Sequence, residues 1–155
     1  NMYSKEFVKS NKKMFYTSFG KYMNKHKSNY NSKNKWLNYS TNVKPVYLRL
    51  NTNHKIASVN IDIQHRDNEI RELFFDQFLE LKGVFKSILG DDWHWNSEYV
   101  NESGVSCSRI LIKLEKVNIY QKDTWPLIFK FFEKHLLKFD EFWLDFNEVF
   151  KQLDD

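Results

Sequence analysis

The sequence predicts an α+β domain in which a four-stranded antiparallel sheet packs with helices in two layers. Three observations lead there. Segments that alternate apolar and polar residues come in two neighbouring pairs. Stretches with helical periodicity flank and separate those pairs. The regular strand–helix–strand alternation of a doubly wound parallel sheet is missing. The order is therefore helix, hairpin, helix, two strands, helix. A length of 155 residues suits a single domain over residues 1–155 with one core. Asn1 ahead of Met2 has the look of an expression scar and is left out of the reasoning.

Residues 4–25 place Phe7, Met14 or Phe15, Phe19, and Tyr22 or Met23 on one side at helical spacing, with lysines opposite, and Gly20 weakens that helix mildly. The loop "HKSNYNSKNK" (His26 to Lys35) is polar and of low complexity, a composition that fits disorder at its centre. Trp36 and Leu37 re-anchor the chain.

A hairpin follows. "VYLRL" from Val46 and "KIASVNIDIQ" from Lys55 flank the turn residues Asn51 to His54. Val46, Leu48, Leu50, Ala57, Val59, Ile61 and Ile63 fall on the core face; Ser58, Asn60, Asp62 and Gln64 fall on the other. Pro45 stands at the strand start, where a missing N–H does least harm. In "NIDIQHRDNEI" the strand hands over to a helix: Asp67 is placed to cap it and Glu69 to favour its positive end. Ile70, Phe74, Phe78, Leu81, Phe85 and Ile88 then repeat as one helix as far as Gly90.

"WHWN" (Trp93 to Asn96) reads as the third strand and "SRILIKLEKV" (Ser108 to Val117) as the fourth, with Ile110, Ile112 and Leu114 inward and Arg109, Leu111, Lys113 and Glu115 outward. The last helix opens with Asp123 or Thr124 as cap and Pro126 in its first turn. Its seam runs Trp125, Ile128, Phe132, Leu136, Phe139, Trp143, Phe146 and Phe150. Phe131, Phe142 and Val149 broaden it, so it should pack on more than one neighbour, a second copy of the chain among them.

Composition narrows the function classes. No apolar run nears the roughly 18 residues a membrane span needs, and no signal peptide is expected, so the expected location is the cytoplasm. Cys107 is the single cysteine, which excludes an internal disulfide and a cysteine-rich zinc site and suits a reducing compartment. Charge is uneven: residues 1–55 hold 12 Lys and Arg against one acid, net +11, while the rest hold 12 against 19, net −7, giving the chain's +4. Such asymmetry marks a nucleic-acid or acidic-partner surface, or a basic first helix and loop packed near an acidic last helix, or a self-complementary dimer.

The candidate chemistry is sparse. Asp62 and Glu115, with Gln64 and Lys113 near them in the pattern, imitate the acidic pair of a metal-dependent phosphodiesterase, although solvent-facing charges on a one-sided sheet look the same. "ELK" at Glu80 imitates a nuclease motif but lies mid-helix. The histidines have no paired metal-ligand spacing, and a phosphate-binding glycine loop is absent, so no metal or cofactor is expected. Cys107 reads as packing rather than as a nucleophile. Nucleic-acid binding is the more physical option: Lys25, Lys27, Lys33 and Lys35 for phosphates, and Trp36, beside Tyr30 and Tyr39, for stacking. His65, Arg66 and Arg109 are candidates for a polar pocket near the sheet end.

The pieces "FYTSFGKYM", "KWLNYSTNVKPVYLRLNTNHKIASVNIDIQHRD", "IRELFFDQFLELKGVF", "DDWHWN", "SRILIKLEKVNIY" and "DTWPLIFKFF…FDEFW" together resemble the bacterial domain-of-unknown-function family DUF4268, over about Lys12 to Leu153. The chain is similar to short, free-standing members of Bacteroidetes type. It departs in "MFYTSF", where the family pattern would put Trp at Phe15 or Tyr16. The resemblance implies no catalytic residues. Longer relatives carry the module after restriction-type nuclease domains, which implies an accessory, DNA-associated role. The expectation is a non-catalytic binding or interaction module with DNA or RNA as leading ligand and a homodimer as leading assembly. The alternatives are a small metal-dependent phosphodiesterase and a purely structural homodimerising scaffold.

Overall fold

The computed structural model describes residues 3–154. Helix α1 (Lys5–Met23) is capped by Ser4, whose Oγ accepts from the Phe7 amide at 3.1 Å. Strands β1 (Val46–Thr52) and β2 (Ile56–Ile63) form the hairpin. Helices α2 (Asn68–Glu80) and α3 (Lys82–Leu89) follow, then β3 (His94–Val100) and β4 (Ser106–Glu115). A short 3-10 turn (Lys122–Thr124) leads into α4 (Trp125–Leu153). The sheet is antiparallel throughout in the order β1-β2-β4-β3. The expected α+β class, four-stranded antiparallel sheet and first hairpin are what the structure has.

The core is aromatic and lies between one sheet face and α4. Phe15 meets Trp125 edge-on at 5.2 Å, Phe78 meets Phe150 at 4.3 Å, and Phe85 meets Phe142 at 5.3 Å. Each such side chain stabilises by about 1.5–3 kcal/mol through burial alone, so few positions suffice to close the core. The width of α4 that suggests a homodimer is accounted for within the chain: Phe142 is buried against α2 and α3, Phe131 is half-buried beside Phe132 and His135, and Val149 is packed on the core. On this helix Leu127 and Leu144 are the exposed large apolar residues. Phe7 and Met14, expected or allowed on the buried side of α1, are exposed, and Phe15, Phe19 and Met23 are its buried face.

Three local expectations are corrected. The helix expected from Ile70 to Gly90 is two helices, broken at Leu81, whose φ −93° and ψ 8° lie outside the helical region. The break re-aims the second piece, so that Phe78 lies on Phe150 and Phe85 on Phe142. Thr124 occupies the N-cap position of α4 but makes no capping bond, because its hydroxyl serves Asn118 and Gln121 instead. The polar loop after α1 is tied down rather than loose. Asp140 of α4, fully buried, accepts from the Ser28 hydroxyl, from the Asn29 amide at 2.5 Å and from the Tyr39 hydroxyl at 2.6 Å. That carboxylate and burial together push the Tyr39 hydroxyl far above its ordinary pKa, burial acting most, so it remains a donor.

No helix among the described residues is long and apolar enough to cross a membrane.

Candidate binding face of the sheet

Helices α2 and α4 pack on one face of the sheet; the other collects its polar side chains in register. Alternation places residues i and i+2 on one face, and antiparallel pairing lines them up across strands. One rung is Asn51, Ser58 and Lys113; the next is Arg49, Asn60, Leu111 and His94; the third is Tyr47, Asp62, Arg109 and Asn96. The sequence predicts this face, but as a solvated one. In fact Ser58, Asn60, Asp62 and Arg109 are all buried. Long neighbours lie over them: Arg49 stacks on Tyr47 with its guanidinium 4.5 Å from the ring, and Tyr99 lies against Arg109 at the same distance.

Arg109 is the centre of the face. Asp62 takes Nε at 2.6 Å and Nη2 at 2.8 Å; Glu102, from the β3–β4 turn, takes Nη1 at 2.7 Å and Nη2 at 3.1 Å. Two carboxylates on one guanidinium raise the arginine's pKa further, against burial that would lower it, so its charge is permanent. The Arg109 hydrogen bond, ahead of all other causes, holds Glu102 below the usual carboxylate range. Beside this clamp lies a cavity of about 910 Å³, lined among others by Asn60, Tyr99, His94, Lys113 and Lys12 of α1. Asn60 donates to the Ser58 hydroxyl, yet its buried Oδ1 has no partner. A buried acceptor left unpaired costs about 1–3 kcal/mol.

The residues proposed from sequence are not brought together. Arg109 lines the cavity, whereas His65 and Arg66 are exposed at the β2–α2 junction, outside its lining. His65 instead serves the turn: its Nδ1 accepts from the Asp67 amide at 3.0 Å and its carbonyl accepts from Arg71. Asp67 caps α2 as expected, accepting from the Glu69 amide at 2.9 Å. Trp36 offers no stacking face, being buried with its indole N–H donating to the His26 carbonyl at 3.1 Å. Tyr39 is likewise buried, on Asp140, and Tyr30 is half-buried and bonds the Thr41 carbonyl. Lys27, Lys33 and Lys35 are exposed. Lys25 is exposed too, but leans on its own fold, 3.5 Å from Glu133 and over the Tyr22 ring.

The phosphodiesterase pair fails on register. Glu115 pairs with Ile56, and Asp62 lies six residues further along β2, roughly 20 Å away at strand rise. One ion needs oxygens within about 2.6 Å of it. Asp62 is moreover consumed by Arg109. Cys107 is buried and its thiol is pushed up to about 11, chiefly by burial, so it is no nucleophile.

Sequence reading missed Lys12, Tyr99, Glu102, Asn60 and His94 as one constellation. The alternation of β2 and β4 could have flagged Asn60 and Arg109, but nothing local signals that Glu102 folds back over them. No match to the chain was found among curated proteins or among solved structures. The model of the family described as a domain of unknown function, DUF4268, matches residues 11–147, and with nearly the whole described fold inside that match the chain belongs to this family.

Proposed function

We propose that the protein is a non-catalytic binding module that receives single-stranded nucleic acid on the polar face of its sheet. One arrangement carries the reading: all four strands contribute side chains around a cavity of about 910 Å³ that has Lys12 and Lys113 on its walls. The two lysines outweigh the local clamp, where Arg109 offsets one of its two carboxylates. Tyr99 lines the cavity and Tyr47 stands on the same side of the sheet outside it; each carries a guanidinium on one ring face, leaving the other for a base, and base stacking of this kind contributes about 1–3 kcal/mol per base. Lys33 and Lys35 precede Leu37, which lines one wall of the cavity, and extend the basic approach to it. Lys25 and Lys27 are peripheral in this reading.

The test is fluorescence anisotropy with labelled oligothymidylate and oligoadenylate ribonucleotide strands at rising salt. Affinity should fall with a slope of about −0.7 per phosphate contact, and Lys12→Glu with Lys113→Glu should weaken it at least tenfold. Lys25→Glu with Lys27→Glu should matter far less. Strand affinity indifferent to the Lys12 and Lys113 changes would remove the sheet face from the reading.

A further inference from the structure

The geometry points to Glu102 as a tethered stand-in for a ligand phosphate: its carboxylate fills an oxyanion cradle made by Arg109 and Asn51, and an incoming phosphate group displaces it. The inference rests on the binding-face reading above and names one subsite within it.

The cradle is built from donors that hold their aim without Glu102. Asp62, itself fully buried, fixes the guanidinium through Nε and one Nη2 proton. The remaining edge of Arg109, Nη1 and the other Nη2 proton, faces Glu102. Asn51 Nδ2 donates to the same Glu102 oxygen at 3.0 Å. Three converging donors with two parallel N–H groups from arginine form a fork that fits a carboxylate or a phosphate equally well.

The occupant differs from its hosts. The Arg109 side chain is 2% exposed, while that of Glu102 is 60% exposed, so the acid approaches from the open side. Its turn does not need that side chain to hold its shape. Asn101 Oδ1 accepts from the Ser103 amide at 2.9 Å and from the Val105 amide at 3.0 Å, and the Asn101 amide donates to the Val105 carbonyl at 2.9 Å. Swinging Glu102 into water therefore leaves both the turn and the Asp62–Arg109 pair intact.

An internal competitor is detected by removing it. Binding of inorganic phosphate by calorimetry and of labelled oligothymidylate by anisotropy should be compared in the wild type, Glu102→Ala and Glu115→Ala. Glu115 is an exposed acid of β4 on the same face and controls for charge alone. Glu102→Ala should tighten both probes about tenfold or more, and Glu115→Ala should change them less than about twofold. Adding Asn51→Ala to Glu102→Ala should return part of the gain, and phosphate should shift the Arg109 side-chain ¹⁵N resonances in Glu102→Ala. Tightening for phosphate but not for the strand would keep the cradle and remove nucleic acid as its source. Phosphate bound no more tightly by Glu102→Ala than by wild type, or gained equally by Glu115→Ala, would overturn the cradle even if the strand binds.

Discussion

Asp62 and Arg109 stand directly opposite each other on β2 and β4, joined by hydrogen bonds of 2.6 and 2.8 Å with both side chains out of solvent. A pair of this kind adds little net stability over a hydrophobic pair, but breaking it leaves a bare charge in the interior. It fixes where the arginine points, and that is what the polar face depends on.

Arg109→Met should accordingly destabilise the fold by about 3–5 kcal/mol, because Asp62 is left buried without a partner. Glu102, already mostly in water, simply turns outward. Adding Asp62→Leu should recover most of the loss. Urea unfolding of the single and double variants measures both steps, and a double variant as unstable as Arg109→Met would contradict the account.

Asp140 should behave as the latch of the loop after α1. Tyr39→Phe removes one of its three donors and should cost about 1 kcal/mol. Asp140→Ala frees all three and should cost more. Amide exchange at Asn29, whose N–H bonds this carboxylate, should then accelerate selectively, ahead of exchange in the sheet. Uniform acceleration across the protein would mean that Asp140 supports the core and not the loop.

What could be read from the sequence follows from how local each cause is. Strand faces, the Asp67 cap and the seam of α4 are written in residues one to four apart, and all are present in the structure. The break at Leu81 is not, since apolar spacing runs through it unchanged and only packing on α4 separates the two halves. Glu102 on Arg109 and Asp140 on Ser28 join residues across a turn and across most of the chain. Their chemistry is visible only once the sheet and helices are assembled. The same holds for Trp36, whose place among lysines suggested stacking and whose indole instead closes the loop on His26.

His135 gives the acid side of the stability profile a defined feature. Burial, ahead of its other influences, lowers its pKa from the ordinary value of 6.5, with Lys134 and Lys138 adding in the same direction and the Phe131 carbonyl and Asp92 opposing. The unfolded chain therefore takes up a proton that the folded one resists. Its contribution is complete above about pH 6.5 and is lost as pH falls toward the lower folded value. His135→Leu should flatten the fall of the urea midpoint in the window just below about pH 6.5 while leaving the carboxylate-driven fall at lower pH. An unchanged slope in that window would show that His135 is not its source.

Gly20 sits inside α1, where glycine costs about 1 kcal/mol relative to alanine. A Cβ built there would lie 3.1 Å from Leu37 Cδ1 and near no backbone. Leu37 is 44% exposed, and the atom in the way is the end of a side chain with room to rotate outward. The helical gain should therefore exceed the contact, and Gly20→Ala should stabilise the protein by about 0.5–1 kcal/mol, raising the thermal midpoint by a few degrees. Because Leu37 also lines the cavity wall, the same variant should leave strand affinity nearly unchanged if Leu37 only borders the ligand. Stabilisation together with a marked loss of binding would instead place Leu37 in contact with the bound strand.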